Sequence, residues 1–394
     1  MNYKVVIGEL DKPGTYKKLR VEKAALVVVN NDDMLNTNII ATIREISESA
    51  PIVTIADAND SLDILELAGA THVFQFTKML GETIAQHAVG ASTKANIFGG
   101  FKQLLIAEAH ASNTPFEGKK LIESSLREKT GINVVGIWQR GNFEIPQPQT
   151  FIHSTSILLL AGSEEHFRKY DDLIGSSRTF ADPVVILGGG RVGQAAANAL
   201  ADRGIEYRIV EKNKHLIKDD KKYILGNAAD IHVLERAGIS VEAPSVFITT
   251  HDDDINIYLT IYCRKLRPNI QIISRATRDR NISKLYAAGA DIVLSYASMG
   301  ANRILNILKP DEILMLAEGL NIFKVSIPAS IIDKALSETH IREKTGCNVV
   351  AIHSDDTLNI NPEPTVRLKK NDEVILIGTA EAEKKFVNIF SSKI

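Results

Sequence analysis

Short apolar runs alternate with amphipathic segments through the second half of the chain. Five of these runs have the length and composition of buried strands: residues 183–187, 207–210, 222–225, 246–249 and 270–274. The segments between them have helical patterning and lengths of about 10 to 15 residues, as expected for βαβ units. The pattern therefore predicts a doubly wound, Rossmann-like α/β fold with a parallel sheet.

A shorter pattern occurs twice. Residues 127–137 recur as residues 342–352, with nine of eleven positions identical. Both copies lead through a proline-containing connection into an apolar run, at 157–161 and 374–378, and then into a charged helical segment. Each copy is predicted to form a small α+β unit. The shared Lys-Thr-Gly is interpreted as the end of a helix, closed by glycine before an extended Asn-Val-Val strand.

The duplication extends beyond these units. Residues 67–70 match 287–290, and residues 30–33 match 250–253, so a two-part module is repeated in tandem. We expect four parts: a first lobe (residues 1–92), a first small unit (93–178), a second lobe (179–308) and a second small unit (309–394). Together, a lobe and its small unit form a module.

The two lobes differ at their front ends. Gly226 follows Pro183 by 43 residues, whereas its counterpart Gly8 has only seven residues before it. About 36 residues, enough for two strands, a glycine turn and a helix, have no counterpart in the first lobe. We therefore expect Met1 to fall inside a domain, with the chain a fragment of something longer or the product of an internal start.

A glycine-rich turn follows the first strand of the second lobe. The GxGxxG pattern consists of Gly188, Gly190 and Gly193, and an alanine-rich helix follows it. In such a turn the first glycine permits the bend, the second lets the backbone approach a pyrophosphate, and the third packs helix against sheet. Arg191 and Val192 begin the helix, whose N-terminal amides attract phosphate. The alternative is a decayed site that only packs helix against sheet.

Glu211 lies eighteen residues after Gly193, at the end of the next strand. A carboxylate at this position accepts hydrogen bonds from ribose hydroxyls and repels a 2′-phosphate. It therefore favours NAD or an adenine nucleotide, ADP or ATP, over NADP.

Further polar residues follow the later strands, where open α/β folds bind ligands. Asn227 is placed to contact adenine or ribose, with Ala228 beside it in the predicted site. Thr250 is placed to contact phosphate or ribose, and Arg275 to neutralise phosphate. We interpret the aspartates at 252–254 as a helix cap, with calcium binding as the alternative. His251 is expected to be a solvated loop residue.

The first lobe matches this set poorly. Gly8 and Glu9 occupy the positions that correspond to Gly226 and Asn227. Asn30 corresponds to Thr250, and Ile55 to Arg275. Without the arginine and the glycine turn, the sequence assigns no nucleotide site to the first lobe.

Overall composition excludes several classes of protein. The 46 basic and 48 acidic residues give a net charge of −2, so the chain has no general attraction for nucleic acid. Charge-free stretches are too short and too polar for a membrane helix, which needs about 20 apolar residues. Two cysteines and the absence of a secretory leader indicate a reducing compartment, hence the cytosol.

The glycine turn, Glu211, residues 226–230 and 250–253 and the small units together resemble the RCK (TrkA-N and TrkA-C) family, in two tandem copies. The resemblance implies the cytosolic gating ring of a potassium channel, eight domains from a tetramer of this chain, and a membrane pore encoded upstream. It also implies sensing of nucleotides or of cations such as calcium. The family usually has an aspartate where Asn227 stands, a change that affects how the adenosine end would be held.

The function predicted on this basis is nucleotide-dependent regulation of potassium transport, without catalysis. The two alternative functions are a peripheral subunit of a Trk-type potassium transporter and an NAD-dependent dehydrogenase. Against the dehydrogenase, His153, His166 and His353 occupy unrelated positions of the repeat. Helices at 297–308 and 310–318, hinged at residues 309 and 310, are candidates for transmitting motion, or are plain packing helices.

Overall fold

The computed structural model describes residues 4–88, 95–112, 114–139, 142–175, 182–240, 243–308, 313–317, 320–355 and 357–391. Both modules contain a parallel sheet followed by an antiparallel one. The first lobe consists of α1 (Pro13–Leu19), β1 (Val27–Val29), α2 (Asp33–Arg44), β2 (Ile52–Ile55), α3 (Leu62–Leu67), β3 (His72–Phe74) and α4 (Phe76–Gln86). The first small unit consists of β4 (Asn96–Phe101), β5 (Leu104–His110), α5 (Leu121–Ser124), α6 (Leu126–Thr130), β6 (Asn133–Gln139), β7 (Asn142–Glu144), β8 (Ile157–Gly162) and α7 (Glu164–Ile174).

The second module repeats and extends this order. Its lobe consists of β9 (Val184–Leu187), α8 (Arg191–Ala201), β10 (Tyr207–Glu211), β11 (Tyr223–Leu225), α9 (Ile231–Ala237), β12 (Ser245–Ile248), α10 (Asp253–Leu266), β13 (Gln271–Ala276), α11 (Ile282–Ala288), β14 (Ile292–Ser295) and α12 (Tyr296–Leu308). Its small unit consists of β15 (Ile313–Ala317), β16 (Leu320–Ser326), α13 (Leu336–Thr339), α14 (Ile341–Thr345), β17 (Asn348–Ser354), β18 (Thr357–Ile360), β19 (Glu373–Thr379) and α15 (Ala380–Phe386).

The second lobe is built on a six-stranded parallel sheet in the order β11-β10-β9-β12-β13-β14. The five predicted strands are confirmed, and β14 is an additional one. Ile186 of β9 pairs with Ile209 on one side and with Phe247 on the other, and all three side chains are buried. The strand order reverses between β9 and β12, which opens a crevice at the carboxyl ends of the strands.

Structural details of the two lobes confirm the duplication. The first lobe has a three-stranded parallel sheet in the order β1-β2-β3, packed on Ile40 and Ile43 of α2. Arg44 Nε donates to the carbonyl of Gly69 at 2.9 Å, and Arg264 Nε donates to that of Gly289 at 3.0 Å. Each arginine thus ties its helix to the loop before the last strand of its lobe.

The two small units are five-stranded antiparallel sheets of identical order, β4-β5-β8-β6-β7 and β15-β16-β19-β17-β18. They pack face to face through a shared apolar cluster that includes Leu104, Ile106, Ile375 and Ile377. The predicted helix ends are confirmed. Gly131 and Gly346 close α6 and α14 with φ of 78° each, a left-handed conformation that suits glycine.

One predicted element is wrong. Residues 313–317, assigned to a helix at 310–318, form strand β15, which pairs antiparallel with β16. Strand pairing outweighs the helical propensity of this segment, and β4 occupies the same place in the first small unit. The predicted helix at 297–308 is confirmed as α12, while the proposed hinge at 309 and 310 lies outside the described residues.

Helix α4 of the first lobe packs on α8 of the second. A Cβ on Gly81 would lie 2.5 Å from the Cβ of Ala195, so glycine permits the close approach of the two helices. Leu80 and Ile84 of α4 join the core beneath β9. The first module therefore covers one face of the sheet of the second lobe. Among the described residues, no helix combines the length and apolarity needed to span a membrane.

Candidate functional site

A cavity of about 950 Å³ opens at the carboxyl ends of strands β9, β10, β12 and β13. Nine of the ten predicted site residues line it: Gly188, Gly190, Arg191, Val192, Glu211, Asn227, Ala228, Thr250 and Arg275. The tenth, Gly193, lies behind the turn. The structure therefore brings the predicted residues together in one cleft, as expected where the strand order of a parallel sheet reverses.

The three glycines of the turn differ in what surrounds them. Gly188 has φ of +110°, which favours glycine, and a Cβ on Gly193 would meet the carbonyl oxygen of Gly188 at 1.9 Å. Gly190 has an ordinary conformation, with φ of −69°, and apart from the adjacent backbone no described atom lies within 4 Å of where its Cβ would be. The protein's own packing thus explains Gly193, whereas at Gly190 the missing side chain leaves free space facing the cleft.

Glu211 holds the turn in place. Its side chain is buried, with Oε2 accepting from the Gly189 amide at 2.6 Å and Oε1 accepting from the Asn213 amide at 2.8 Å. Sequence reasoning missed this role of the carboxylate. Each carboxylate oxygen has a second lone pair for a ligand hydroxyl, so contact with a ribose stays a prediction.

Arg275 reaches the cleft from the end of β13. Its Nη2 lies 3.2 Å from Nδ1 of His251, and its buried Nε has no hydrogen-bond partner in the described structure. Burial lowers the pKa of the guanidinium from its usual range. A buried cationic donor without a partner is costly, and an anionic ligand would satisfy it. His251 itself is exposed, as predicted.

The aspartates after β12 serve the protein's own backbone. Asp252 caps α10 by accepting from the amides of Asp254 and Ile255, which confirms the predicted cap. Asp253 accepts from the amides of Thr277 and Arg278. Burial alone would raise the pKa of Asp253, but its hydrogen bonds, including one from Asn281, outweigh burial and lower the pKa. The described residues contain no group of three or more acidic, histidine or cysteine side chains arranged to hold a metal.

Sequence reasoning also missed Asn256. This fully buried amide donates to the carbonyls of Thr250 and Arg275, at 3.1 and 2.9 Å, and accepts from the Thr250 hydroxyl at 2.6 Å. It fixes the two strand ends that carry the phosphate-facing candidates. Asn36 occupies the equivalent place in the first lobe and donates to the carbonyl of Ile55 at 3.0 Å. The sequence signal that could have revealed Asn256 is the asparagine at both positions 36 and 256, which are separated by the repeat spacing of 220 residues.

The first lobe contributes to the same cleft. Thr77, near the N-terminus of α4, lines the cavity beside Tyr296. Asp57, which follows β2, forms an ion pair with Arg191, in which Nη1 and Oδ1 lie 2.9 Å apart. The residue at the start of helix α8, next to the expected pyrophosphate position, is thus joined directly to the other module.

The positions of the first lobe that correspond to the cleft are built differently. A Cβ on Gly8 would clash with the side chain of Thr15 at 2.4 Å, and Glu9 pairs with Lys12 at 2.7 Å. Ile55 is buried where Arg275 reaches its cleft. A separate cavity of about 500 Å³ lies between the small units and contains none of the predicted site residues.

Comparison with known protein families agrees with this architecture. The TrkA-N domain model matches residues 1–76 and 184–296, and the TrkA-C domain model matches residues 107–175 and 321–391. The chain belongs to the TrkA-N/TrkA-C (RCK) family. Both domain types occur twice in tandem, in the order predicted from the internal repeats, and the TrkA-N match to the second lobe contains all ten predicted site residues.

Three relatives, the protein GsuK and two archaeal proteins, illustrate the range of this family. The RCK domain of GsuK is 34% identical and superposes with a TM-score of 0.65, covering 99% of this chain and 86% of that one. The GsuK channel has also been solved bound to NAD, at 34% identity and a TM-score of 0.64 over 99% of this chain and 71% of that one. An ADP-bound GsuK structure is 25% identical, with a TM-score of 0.51 over 79% and 59%.

The other two relatives are archaeal sequences. Potassium channel protein 1 of Methanocaldococcus jannaschii is 26% identical over 272 residues, which are 60% of this chain and 81% of that protein. A Trk system potassium uptake protein TrkA homolog of Pyrococcus abyssi is 26% identical over 226 residues, or 53% of this chain and 98% of that protein. The family therefore includes both potassium channels and Trk-system proteins.

Proposed function

We propose that this chain is the nucleotide-sensing region of a potassium channel, working at the cytoplasmic face of the membrane. In this function, a nucleotide in the cleft of the second lobe biases the shape of a gating ring and so controls potassium flow. The observation that carries the proposal is the free space at Gly190, which faces a cleft that also contains the unpartnered Nε of Arg275. Packing explains neither feature, and a bound phosphate group would explain both.

The cleft residues suit NAD, ADP or ATP. A pyrophosphate would lie over Gly190 and the first amides of α8, where the helix dipole favours negative charge. Glu211 and Asn227 would contact the adenosine end, and the Glu211 carboxylate would repel a 2′-phosphate. Thr250 and Arg275 would bind the remaining phosphate or the second half of a dinucleotide. Known structures of GsuK with NAD and with ADP support this choice of ligands.

In this function, nucleotide binding is coupled to the shape of the ring through contacts between the cleft and the first module. A ligand shifts a conformational equilibrium only by its difference in affinity for the two states. From the first lobe, Thr77 lines the cleft and Asp57 pairs with Arg191, so a change in the angle between modules would alter contacts that the ligand or Arg191 makes. A difference of about 1.4 kcal/mol would change the ratio of the two states tenfold.

The duplication is compatible with assembly into a ring. Two RCK domains per chain give eight in a tetramer, the number that the family resemblance implies for a ring, and the pore would lie N-terminal to the first lobe. The competing function is a peripheral subunit of a Trk-type transporter, which has no pore on its own chain. Upstream coding sequence separates the two, because membrane helices with a selectivity filter support the channel, and a short independent start supports the transporter subunit.

A test of sensing against catalysis uses the purified chain. We expect NAD, ADP or ATP to bind and to change the sedimentation or scattering profile of the oligomer, with no net change of cofactor absorbance at 340 nm in the presence of candidate alcohols, aldehydes and hydroxy acids. Stoichiometric production of reduced cofactor would instead establish a dehydrogenase. A dimer or monomer that stays unchanged with nucleotide would contradict the gating ring.

A further inference from the structure

A cluster of ionisable side chains lies where the first module meets the second lobe, at the end of the sheet opposite the nucleotide cleft. His87 ends helix α4, and Glu108 and His110 lie on β5. Nδ1 of His87 lies 2.5 Å from Oε1 of Glu108, and their side chains are only 17% and 12% exposed. Nε2 of His110 lies 3.1 Å from the carbonyl oxygen of His87.

The second lobe holds the same carbonyl. Gln271, the first residue of β13, donates from Nε2 to the His87 carbonyl at 2.8 Å, and its Nε2 also lies 3.4 Å from Nε2 of His110. Ser245 at the start of β12 donates to the Gln271 side chain at 2.6 Å. Besides the apolar packing of α4, the hydrogen bond from Gln271 therefore ties the C-terminal end of this helix to the second lobe, through a main-chain oxygen that His110 also contacts.

The charges of this cluster balance when His87 is protonated, Glu108 is ionised and His110 is neutral, the arrangement that the close His87–Glu108 pair favours. Protonated His87 and ionised Glu108 cancel each other, so a proton on His110 would add an uncompensated positive charge to a desolvated site. The other groups around the cluster do not offset it: Gln271 beside His110, Ser245 beside Gln271 and Asn96 beside Glu108 are all neutral, and Arg203, whose charge acts on His87, is positive.

The pKa directions agree with this charge balance. Burial, together with the charge of His87, lowers the pKa of His110, although Glu108 and the hydrogen bond to the His87 carbonyl oppose the shift. For Glu108, burial alone would raise the pKa, but the charge of His87 and its hydrogen bond lower it. In the folded state His110 is therefore neutral at a pH where an unhindered histidine is already charged.

We propose that this cluster is a proton-operated latch, which holds the end of α4 on the second lobe while His110 is neutral and loosens it when His110 takes up a proton. Helix α4 runs from Thr77 in the nucleotide cleft to His87 in the cluster, and it cannot slide freely because Gly81 is packed against Ala195. Acidification would therefore act on the same helix that lines the nucleotide cleft.

Hydrogen exchange of the full chain without nucleotide tests the latch. The amides of residues 84–88 are followed from pH 6.5 to 5.0, corrected for intrinsic rates and referenced to α7. Below pH 6.5 the contribution of His87 is already complete, so His110 dominates this window. The lowered pKa of His110 makes the opening constant rise as pH falls below about 6.5, by up to about tenfold per pH unit.

The variant His110→Gln retains a side-chain donor but takes up no proton, so we expect its opening constant to be flat over this range. His232→Gln, which changes a histidine that is 84% exposed, should keep the slope of the unmodified chain. Direct titration of His110 by NMR in the unmodified chain should give a midpoint below about 6.5, the ordinary histidine value. A flat profile in the unmodified chain, an unchanged slope in His110→Gln, or a midpoint at or above 6.5 would each overturn the latch.

Discussion

Arg191 and Asp57 join the two modules at the mouth of the nucleotide cleft. Arg191 opens helix α8 directly after the glycine turn, and its Nη1 lies 2.9 Å from Oδ1 of Asp57, which follows β2 of the first lobe. The two side chains are 66% and 52% exposed, so water screens the pair and its strength is limited to about 1 kcal/mol. A phosphate over the glycine turn would compete with Asp57 for the same guanidinium.

That competition predicts the effect of removing the acid. Asp57→Asn should tighten ADP binding by up to about fivefold, because it frees Arg191 and removes a negative charge near the phosphates. Asp60→Asn is the matched control, since it makes the same charge change on the same turn and should shift the affinity less. Calorimetry measures both, and weaker binding by Asp57→Asn would show that the acid supports the nucleotide.

Alanine substitutions at two glycines of the turn are predicted to have different effects. Gly193→Ala should destabilise the second lobe by about 1–3 kcal/mol, because the added methyl group would overlap the carbonyl of Gly188. Gly190→Ala should leave stability within about 0.5 kcal/mol and lower nucleotide affinity, because its methyl group enters only the cleft. Urea unfolding and binding titrations separate the two effects, and equal stability losses would contradict the packing described for the turn.

Replacing Arg275 is predicted to change nucleotide affinity and the free energy of unfolding differently. Arg275→Met should weaken nucleotide binding about tenfold or more, the usual cost of a lost charge-assisted hydrogen bond. The same change removes a desolvated cation whose Nε has no partner in the described structure, so the free energy of unfolding should stay level or rise. Lys212→Met, which removes a neighbouring charge of the cavity lining, is the control. A large loss of stability in Arg275→Met would indicate a structural role instead.

The His87–Glu108 pair predicts that the free energy of unfolding falls as pH rises above about 6.5. Burial alone would lower the pKa of His87, but the charge of Glu108 and its hydrogen bond raise it. A raised folded-state pKa means that the stabilisation is complete below about pH 6.5 and is lost as pH rises through the folded-state pKa. His87→Gln should cost about 3 kcal/mol at pH 6.5, and progressively less at higher pH. A constant difference between pH 6.5 and 9 would contradict the ion pair.

Much of the fold could be predicted because local pattern and repetition agreed. The strand that ends at Leu187, the glycine turn and the spaced Glu211 specify one βαβ unit, and duplication specified the remaining parts. Strand β15 was predicted incorrectly because helical propensity is local, whereas its pairing with β16 depends on the rest of the sheet. The β4–β5 hairpin, at the same place in the first small unit, was the available correction.

The cleft itself could be predicted only in part. Parallel topology brings strand ends together, so Asn227, Thr250 and Arg275 could be placed from their positions after the strands. The contacts of Asp57 and Thr77 could not, because they depend on how α4 of one module packs on α8 of the other. Asn256 was missed because its role, a buried amide joining two strand ends, becomes visible only when the carbonyls it binds are known.

Calorimetric titration of the purified chain with NAD, ADP and ATP, repeated on Gly190→Asp, tests the central claim most directly. We expect at least one of these nucleotides to bind the unmodified chain, and the heat to vanish in Gly190→Asp, because a carboxylate would project into the pyrophosphate position. The variant should fold normally, as the space around residue 190 is open. Undiminished heat in a folded Gly190→Asp variant, or no heat from any nucleotide in the unmodified chain, would contradict nucleotide binding at this turn.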